Sequence, residues 1–304
     1  MKRLFIFPGQ GSQKVGMGKD LYQAHPKIKA LFDQADQVVG KSISTICFDG
    51  PEDLLKQTEN AQMGIFLVSA ALLILLDEKG IKPTLVAGHS LGELTAYYCA
   101  GVFSLEQALD VIRVRGQVMA KSYPSEKSAM AAVLGLDAPT LEEALKPFAN
   151  APVVGANYNC PGQIVISGER SAFPQAIEAL KAKGAKRVIE LPVSGAFHSP
   201  LMNQASDKFR DYLQDKVFSP AKYPILLNRT AAVTQDAKTL HENLALQVKS
   251  PVKWMQGIET IQNDIDEIIE IGPGKVLSGL VRKTLSEKPL LSIEVEADLG
   301  GIQT

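Results

Sequence analysis

The stretch Leu85-Val86-Ala87-Gly88-His89-Ser90-Leu91-Gly92-Glu93-Leu94 constrains the fold of this chain more than any other. Three apolar residues run straight into Gly-His-Ser-Leu-Gly, and a segment of helical character follows. The serine therefore sits at a strand-to-helix corner, the arrangement of a nucleophile elbow. Glycines two places before and after it carry no Cβ to clash, so the backbone can turn sharply there. Such a corner has two readings. Either it holds the Ser90 hydroxyl out of the turn, with the Leu91 N–H at the helix start aimed where an oxyanion would form, or it only packs a strand against a helix.

The bulk properties exclude several classes of function. The net charge is −1 and 21% of residues are charged, which leaves no basic field for nucleic acid. The three cysteines, Cys47, Cys99 and Cys160, are odd in number and lack any Cys-x-x-Cys spacing, which suits reduced thiols better than disulfides or a zinc site. The N-terminal apolar run stops at Pro8, too short for a signal peptide. The Ile65–Leu76 segment is too short to span a bilayer and reads as a core helix. A cytoplasmic protein with no membrane contact is expected, and a monomer is the expected state.

Leu4–Phe7 reads as a buried strand running into Pro8-Gly9-Gln10-Gly11-Ser12-Gln13, a loop that could present N–H groups to an anion or form an ordinary turn. Helices are expected over Asp20–Val39 and Asn60–Lys79, and a strand over Thr84–Ala87. Ser104 with Gln107 has the form of a capping box opening a helix to about Lys121. On that helix Arg113 and Arg115 lie about 200° apart. Arg113 has partly polar neighbours, whereas Val111, Ile112, Val118 and Met119 surround Arg115. A guanidinium pointing inward is costly unless it meets a carboxylate or another acceptor set, or snorkels to water.

From Ser128 to Leu191 short elements alternate. Ala129–Leu134 reads as a strand, Thr140–Lys146 as a helix, and Val153–Ala156 and Gln163–Ser167 as strands joined by residues 157–162; Ser171–Lys183 is a helix and Arg187–Leu191 a strand. That order, β-α-β-β-α-β, is the ferredoxin-like arrangement. The expected fold is α/β: a large α/β-hydrolase-like domain with a parallel sheet, residues 1–124 and 196–304, interrupted by a small ferredoxin-like domain at 125–195. The return to the large domain begins at Ser194-Gly195-Ala196-Phe197-His198-Ser199-Pro200. Of the four histidines, His25 and His241 have polar neighbours and read as solvated, and His89 should point away from Ser90. His198, in a tight turn before a helix, is the one placed to serve the elbow as a base. Further strands are expected at Tyr223–Asn228 and Ile265–Ile271, and helices at Leu240–Val248 and Val252–Asn263. Gly272-Pro273-Gly274-Lys275 lacks the spacing of a nucleotide loop.

Taken together, Phe7-Pro8-Gly9-Gln10-Gly11-Ser12-Gln13, Gly88-His89-Ser90-Leu91-Gly92-Glu93, Arg115-Gly116, Asn157-x-Asn159, Gly195-Ala196-Phe197-His198-Ser199, Gln247 with Ser250-Pro251-Val252-Lys253-Trp254, and Gly272-Pro273-Gly274 occur in one order. In that order they resemble the malonyl-CoA:acyl carrier protein transacylases, over nearly the whole chain. The resemblance is to the stand-alone bacterial type of fatty acid synthesis rather than to a polyketide synthase domain, since the chain starts and stops with the domain. Gln62-Met63-Gly64 departs from the Gln-Pro-Ala often found in the family. The resemblance implies Ser90 as nucleophile on malonyl-CoA and His198 as its base. It implies the Gln247 backbone carbonyl as the group orienting that base, and the Gln10 and Leu91 N–H groups as the oxyanion hole. Arg115 would hold the free malonyl carboxylate, and Asn157 and Asn159 would line the cleft toward the pantetheine arm. Acyl carrier protein is the implied partner, and no metal or redox cofactor is needed.

Two other functions compete. An esterase-type serine hydrolase shares the elbow but leaves Arg115 without a partner, and a non-catalytic acyl-carrier or acyl-CoA binder leaves Ser90 and His198 without a purpose. The basic cluster Lys181, Lys183, Lys186 and Arg187 reads either as a solvated helix end or as a dock for an acidic carrier protein.

Overall fold

The computed structural model describes residues 1–148, 150–193 and 195–302. Ser194, the first residue of the His198 turn, lies outside the described residues. In chain order the first part comprises β1 (Arg3–Phe7), α1 (Lys19–Ala24), α2 (Pro26–Val39), α3 (Ile43–Asp49), α4 (Glu52–Leu55), α5 (Thr58–Glu78), β2 (Leu85–Gly88), α6 (Leu91–Cys99) and α7 (Leu105–Lys121). The middle holds β3 (Ser128–Leu134), α8 (Ala138–Leu145), β4 (Val153–Cys160), β5 (Gln163–Glu169), α9 (Phe173–Ala182) and β6 (Arg187–Glu190). The last part holds α10 (Asn203–Leu213), β7 (Ile225–Leu226), β8 (Val233–Thr234), α11 (Ala237–Gln247), α12 (Trp254–Ile261), β9 (Glu267–Ile271), α13 (Val276–Thr284) and β10 (Leu290–Ile293).

Among the described residues the strands form two sheets. The larger has the order β10-β9-β1-β2-β7-β8 and is parallel except for β8 at one edge. Its two central strands are apolar from Leu4 to Phe7 and from Leu85 to Gly88 because both faces are covered. Alternate side chains go to opposite faces: Leu4, Ile6, Leu85, Ala87 and Ile268 pack with α12 and α13, while Phe5, Phe7, Val86, Ile269 and Ile271 join the main core with α5. Helix α5 is long and apolar enough to cross a membrane by length and composition, yet most of it is buried inside the protein as the central core helix. The smaller sheet is antiparallel, in the order β4-β5-β3-β6. Ala129, Ala131 and Val133 of β3 face Leu141 of α8 and Leu180 of α9, while Met130 and Ala132 on its other face belong to the main core.

Several elements differ from the sequence reading. The helix expected over 20–39 breaks at His25, which is extended because Pro26 disfavours a helical residue before it. The segment 157–162 is not a loop up to Gly162: β4 continues through two register shifts to Cys160, so Asn157 and Asn159 are strand residues. The strand expected at 223–228 shrinks to Ile225–Leu226, since Leu227 turns back to pair with Ala232. Strands β8 and β10 and helix α13 have no counterpart in the sequence reading. His241 is not simply solvated; its ring packs against Phe218 at 4.7 Å and bonds the Leu213 carbonyl at 2.9 Å. The capping box at Ser104 is present, with both reciprocal bonds formed.

Candidate active site

Strands β1 and β2 are paired side by side, Phe7 opposite Gly88, and the His89 N–H continues the ladder to the Phe7 carbonyl at 3.0 Å. The loop after β1 is thereby laid against the corner after β2. The two elbow glycines answer to close approach: a Cβ on Gly88 would lie 1.9 Å from the Gly92 carbonyl carbon, and one on Gly92 2.0 Å from the Phe7 carbonyl oxygen. The unusual dihedrals fall on the serine itself. Ser90 has φ 54° and ψ −104°, a conformation that costs an L-residue about 1–3 kcal/mol and persists only where its surroundings enforce it. Leu91, fully buried, opens α6. Gln10 follows Gly9, whose Cβ position lies 2.4 Å from the His89 carbonyl oxygen; its side chain reaches Thr58.

Ser90 Oγ lies 2.7 Å from His198 Nε2. His198 Nδ1 is 3.1 Å from the backbone carbonyls of both Gln247 and Ser250, acceptors that require the proton on Nδ1 and leave Nε2 free to accept from the serine hydroxyl. Burial, and after it the charges of Arg115 and His89, push the His198 pKa down to about 3, so the ring is neutral. Its backbone is left-handed, φ 57°, which directs the ring from a short turn toward the elbow.

Arg115 is fully buried on α7, as its apolar helical neighbours require, whereas Arg113 bonds Asp110 and Gln117 nearer the surface. Its Nη1 donates to Gln62 Oε1 at 2.7 Å, and its Nη2 donates to Gln247 Oε1 at 2.8 Å and to Ser90 Oγ at 3.1 Å. Among the described residues no carboxylate forms an ion pair with it. Burial lowers its pKa to about 10, opposed by the charge of Glu93, so the group stays cationic at neutral pH. Among the described residues its Nη1 and Nη2 meet neutral oxygens and its buried Nε has no partner, so a cation aimed at a serine hydroxyl leaves a positive field where an acyl group on that serine would extend.

Gln247 therefore acts twice. Its carbonyl orients His198, and its side chain bridges Arg115 and, through Nε2, the Ser90 carbonyl at 2.8 Å. His89 points away from the serine: Nε2 meets Asn159 Oδ1 at 2.9 Å, and the ring sits 5.8 Å from Trp254. Strand β4 is tied to the larger part by Val252, which accepts from Tyr158 N–H and donates to the Ala156 carbonyl. Asn159 thus meets the elbow through His89, Asn157 pairs with Val252, and both are buried; Asn157 Oδ1 has no bonding partner among the described residues. Two of the four residues in the basic cluster form ion pairs, Lys181 with Glu178 and Lys183 with Glu143.

Three polar residues at the site had no assigned part in the sequence reading. Gln62 holds Arg115, and its signal was an amide in the first turns of an apolar helix. Asn228 holds the elbow backbone and Glu93 holds Asn228, and nothing local marks Asn228 for that task.

A serine and a neutral imidazole in contact at a strand-to-helix corner make this an acyl-transfer type of α/β protein. Residues 4–302 match the family model described as an acyl transferase domain, and the chain belongs to that family. Similar proteins include the malonyl CoA-acyl carrier protein transacylase of Bacillus subtilis (strain 168), 43% identical over 93% of this chain and 90% of that protein. An acyl carrier protein S-malonyltransferase from Vibrio cholerae superposes with a TM-score of 0.96 at 34% identity, covering 100% of both chains. A malonyl-transacylase solved in complex with its type II PKS acyl-carrier protein superposes at 0.95 with 35% identity, covering 98% of both chains.

Proposed function

We propose that this chain transfers the malonyl group of malonyl-CoA to the phosphopantetheine thiol of acyl carrier protein through a malonyl ester on Ser90, and so supplies fatty acid synthesis. The observation that carries this reading is Arg115, a buried cation with no carboxylate partner among the described residues, 3.1 Å from the hydroxyl that would bear the acyl group. The names of the relatives and of the solved structures, one of them with its carrier protein, support the same substrates.

Ser90 Oγ attacks the thioester carbonyl while His198 Nε2 takes its proton, and the charge that forms on the carbonyl oxygen faces the N–H groups of Leu91 and Gln10. The C–S bond then breaks, His198 returns the proton to the departing CoA sulfur, and malonyl-Ser90 remains. In the second half the carrier's thiol gives its proton to His198, its sulfur attacks the ester carbonyl, and Ser90 leaves with that proton. The Gln247 and Ser250 carbonyls keep the ring in one tautomer throughout, which is why no aspartate is required. Arg115 takes the distal malonyl carboxylate in a two-pronged pair. That carboxylate also neutralises a charge that depresses His198, so the arriving substrate makes its own base stronger. Asn157 and Asn159 line the approach of the pantetheine arm. The reaction uses no metal or redox cofactor, and the three cysteines, all free, suit a cytoplasmic enzyme.

The strand order of the smaller sheet supports reading residues 125–195 as a ferredoxin-like insertion, and the elbow supports reading 1–124 and 196–304 as an α/β-hydrolase-like domain. Intact-mass measurement after mixing with malonyl-CoA, and separately with acetyl-CoA, tests the function. One stable malonyl adduct and little acetyl adduct is the expected result; free malonate with no adduct would instead mark a hydrolase.

A further inference from the structure

Ser90 is held at φ 54° and ψ −104°, and its own sequence offers nothing to keep it there. Its two peptide groups are gripped by side-chain amides from distant segments, the C=O by Gln247 and the N–H by Asn228. Asn228 stands where the sheet changes character. Strand β7 runs parallel to β2, with Val86 opposite Ile225 and Ala87 opposite Leu226. One residue further the β7 chain turns away, the Leu227 N–H bonding the Ala232 carbonyl at 2.9 Å. At that point the Asn228 side chain takes over from the backbone ladder: Nδ2 donates to the Gly88 carbonyl and Oδ1 accepts from the Ser90 N–H, both at 2.7 Å. The reverse amide orientation would set donor against donor and acceptor against acceptor, so only one fits.

Asn228 is itself fixed on both sides. Its N–H donates to Glu93 Oε2 at 2.7 Å and its carbonyl accepts from the Lys253 N–H at 2.8 Å. The other oxygen of Glu93 accepts from Asn243 Nδ2 at 2.7 Å. A hydrogen-bonded line thus runs from Asn243 on α11 through Glu93 in the first turn of α6 to Asn228 and across the elbow.

We infer that Asn228 is a positioning residue for acyl transfer, its amide clamping Gly88 and Ser90 so that Ser90 Oγ and the Leu91 N–H stay aligned on the reacting carbonyl, with Glu93 as its anchor. The inference rests on Ser90 as the nucleophile. Without the amide, a strained corner would have an unpaired buried N–H and every reason to relax. Displacing reacting groups by about 1 Å costs roughly 100-fold in rate.

The test compares wild type, Asn228→Ala and Asn228→Asp. Asn228→Asp keeps an acceptor for the Ser90 N–H and loses the donor to Gly88. Intact mass with malonyl-CoA counts the sites that can be acylated, and single-turnover mixing gives the acylation rate per site. Malonyl-CoA affinity is measured separately with each Asn228 variant combined with Ser90→Ala. The expected result is a per-site rate down by about 100-fold in Asn228→Ala, with affinity within about threefold of Ser90→Ala alone. A per-site rate within about threefold of wild type in the soluble variants overturns the inference. So does an affinity that falls by the same factor as the rate, or failure of both variants to fold, since the residue would then serve substrate binding or the core. Uptake of malonyl by Ser90→Ala alone would instead refute the nucleophile, whatever Asn228 does.

Discussion

Two strands of the large sheet, β2 and β9, flank β1 and end alike, in a glycine-bearing turn that feeds a helix, yet only one end carries a site. At the β9 end the strand's own Glu270 folds back, its two oxygens accepting from the Leu277 and Ser278 N–H groups at 3.0 and 2.7 Å. The attraction of the α13 N-terminus for an anion is met internally, and Gly272–Lys275 becomes a structural turn. At the β2 end the corner residue is Ser90, its peptide groups are held by neutral amides, and the nearest fixed charge on its hydroxyl is the cation Arg115. One strand-to-helix turn is closed by an anion from its own strand; the other faces a cation, which the proposed function pairs with the carboxylate of a substrate.

The largest expected effect on this contrast is at the serine. Ser90→Ala should abolish the malonyl adduct, and any labelling that survived would remove the elbow's claim to differ from the β9 corner. Replacing His198 by Gln should lower the acylation rate by roughly 10²–10⁴-fold, the span of general-base catalysis, in stopped-flow measurements. With His198 as the proposed base the neutral ring is the working form, and a pKa pushed down to about 3 puts its protonation, and with it the expected acid loss of kcat/KM, far below the ordinary 6.5. Glu93, raised by burial to about 7, titrates nearer neutrality. A limb near pH 7 should therefore vanish in Glu93→Gln; one persisting near 6.5 in that variant contradicts the depressed imidazole.

Arg115→Ala should keep ester chemistry and lose preference for malonyl over acetyl by about 10–150-fold, the worth of one charge-assisted contact of about 1.5–3 kcal/mol. Preference that persists in competition assays would dissolve the distinction between the two corners. The smallest catalytic effect is expected at the closed corner. Glu270→Gln can accept one backbone N–H but sets its NH2 against the other, so denaturant melts should show a loss of about 1–3 kcal/mol with an unchanged acylation rate per titrated site.

Much of this was legible because it is local. The strand-to-helix corner, the Ser104 cap and the inward face of α7 follow from spacing over a few residues, and so the buried position of Arg115 could be read from four apolar neighbours. What escaped was non-local. That β4 extends through Asn157 and Asn159 depends on pairing with β5 and on a bridge to Val252, some ninety residues on, and no window of sequence contains both.

By itself, then, the sequence determined where a sharp turn would raise a hydroxyl and which arginine would be driven inward, since sterics and helical periodicity act between near neighbours. Only the tertiary structure decided what those groups would meet. Gln62, Gln247 and Asn228 have ordinary amides whose meaning comes from which donor or acceptor stands about 3 Å away, and distances of that kind are set when the sheets and helices pack, not by residues next in line.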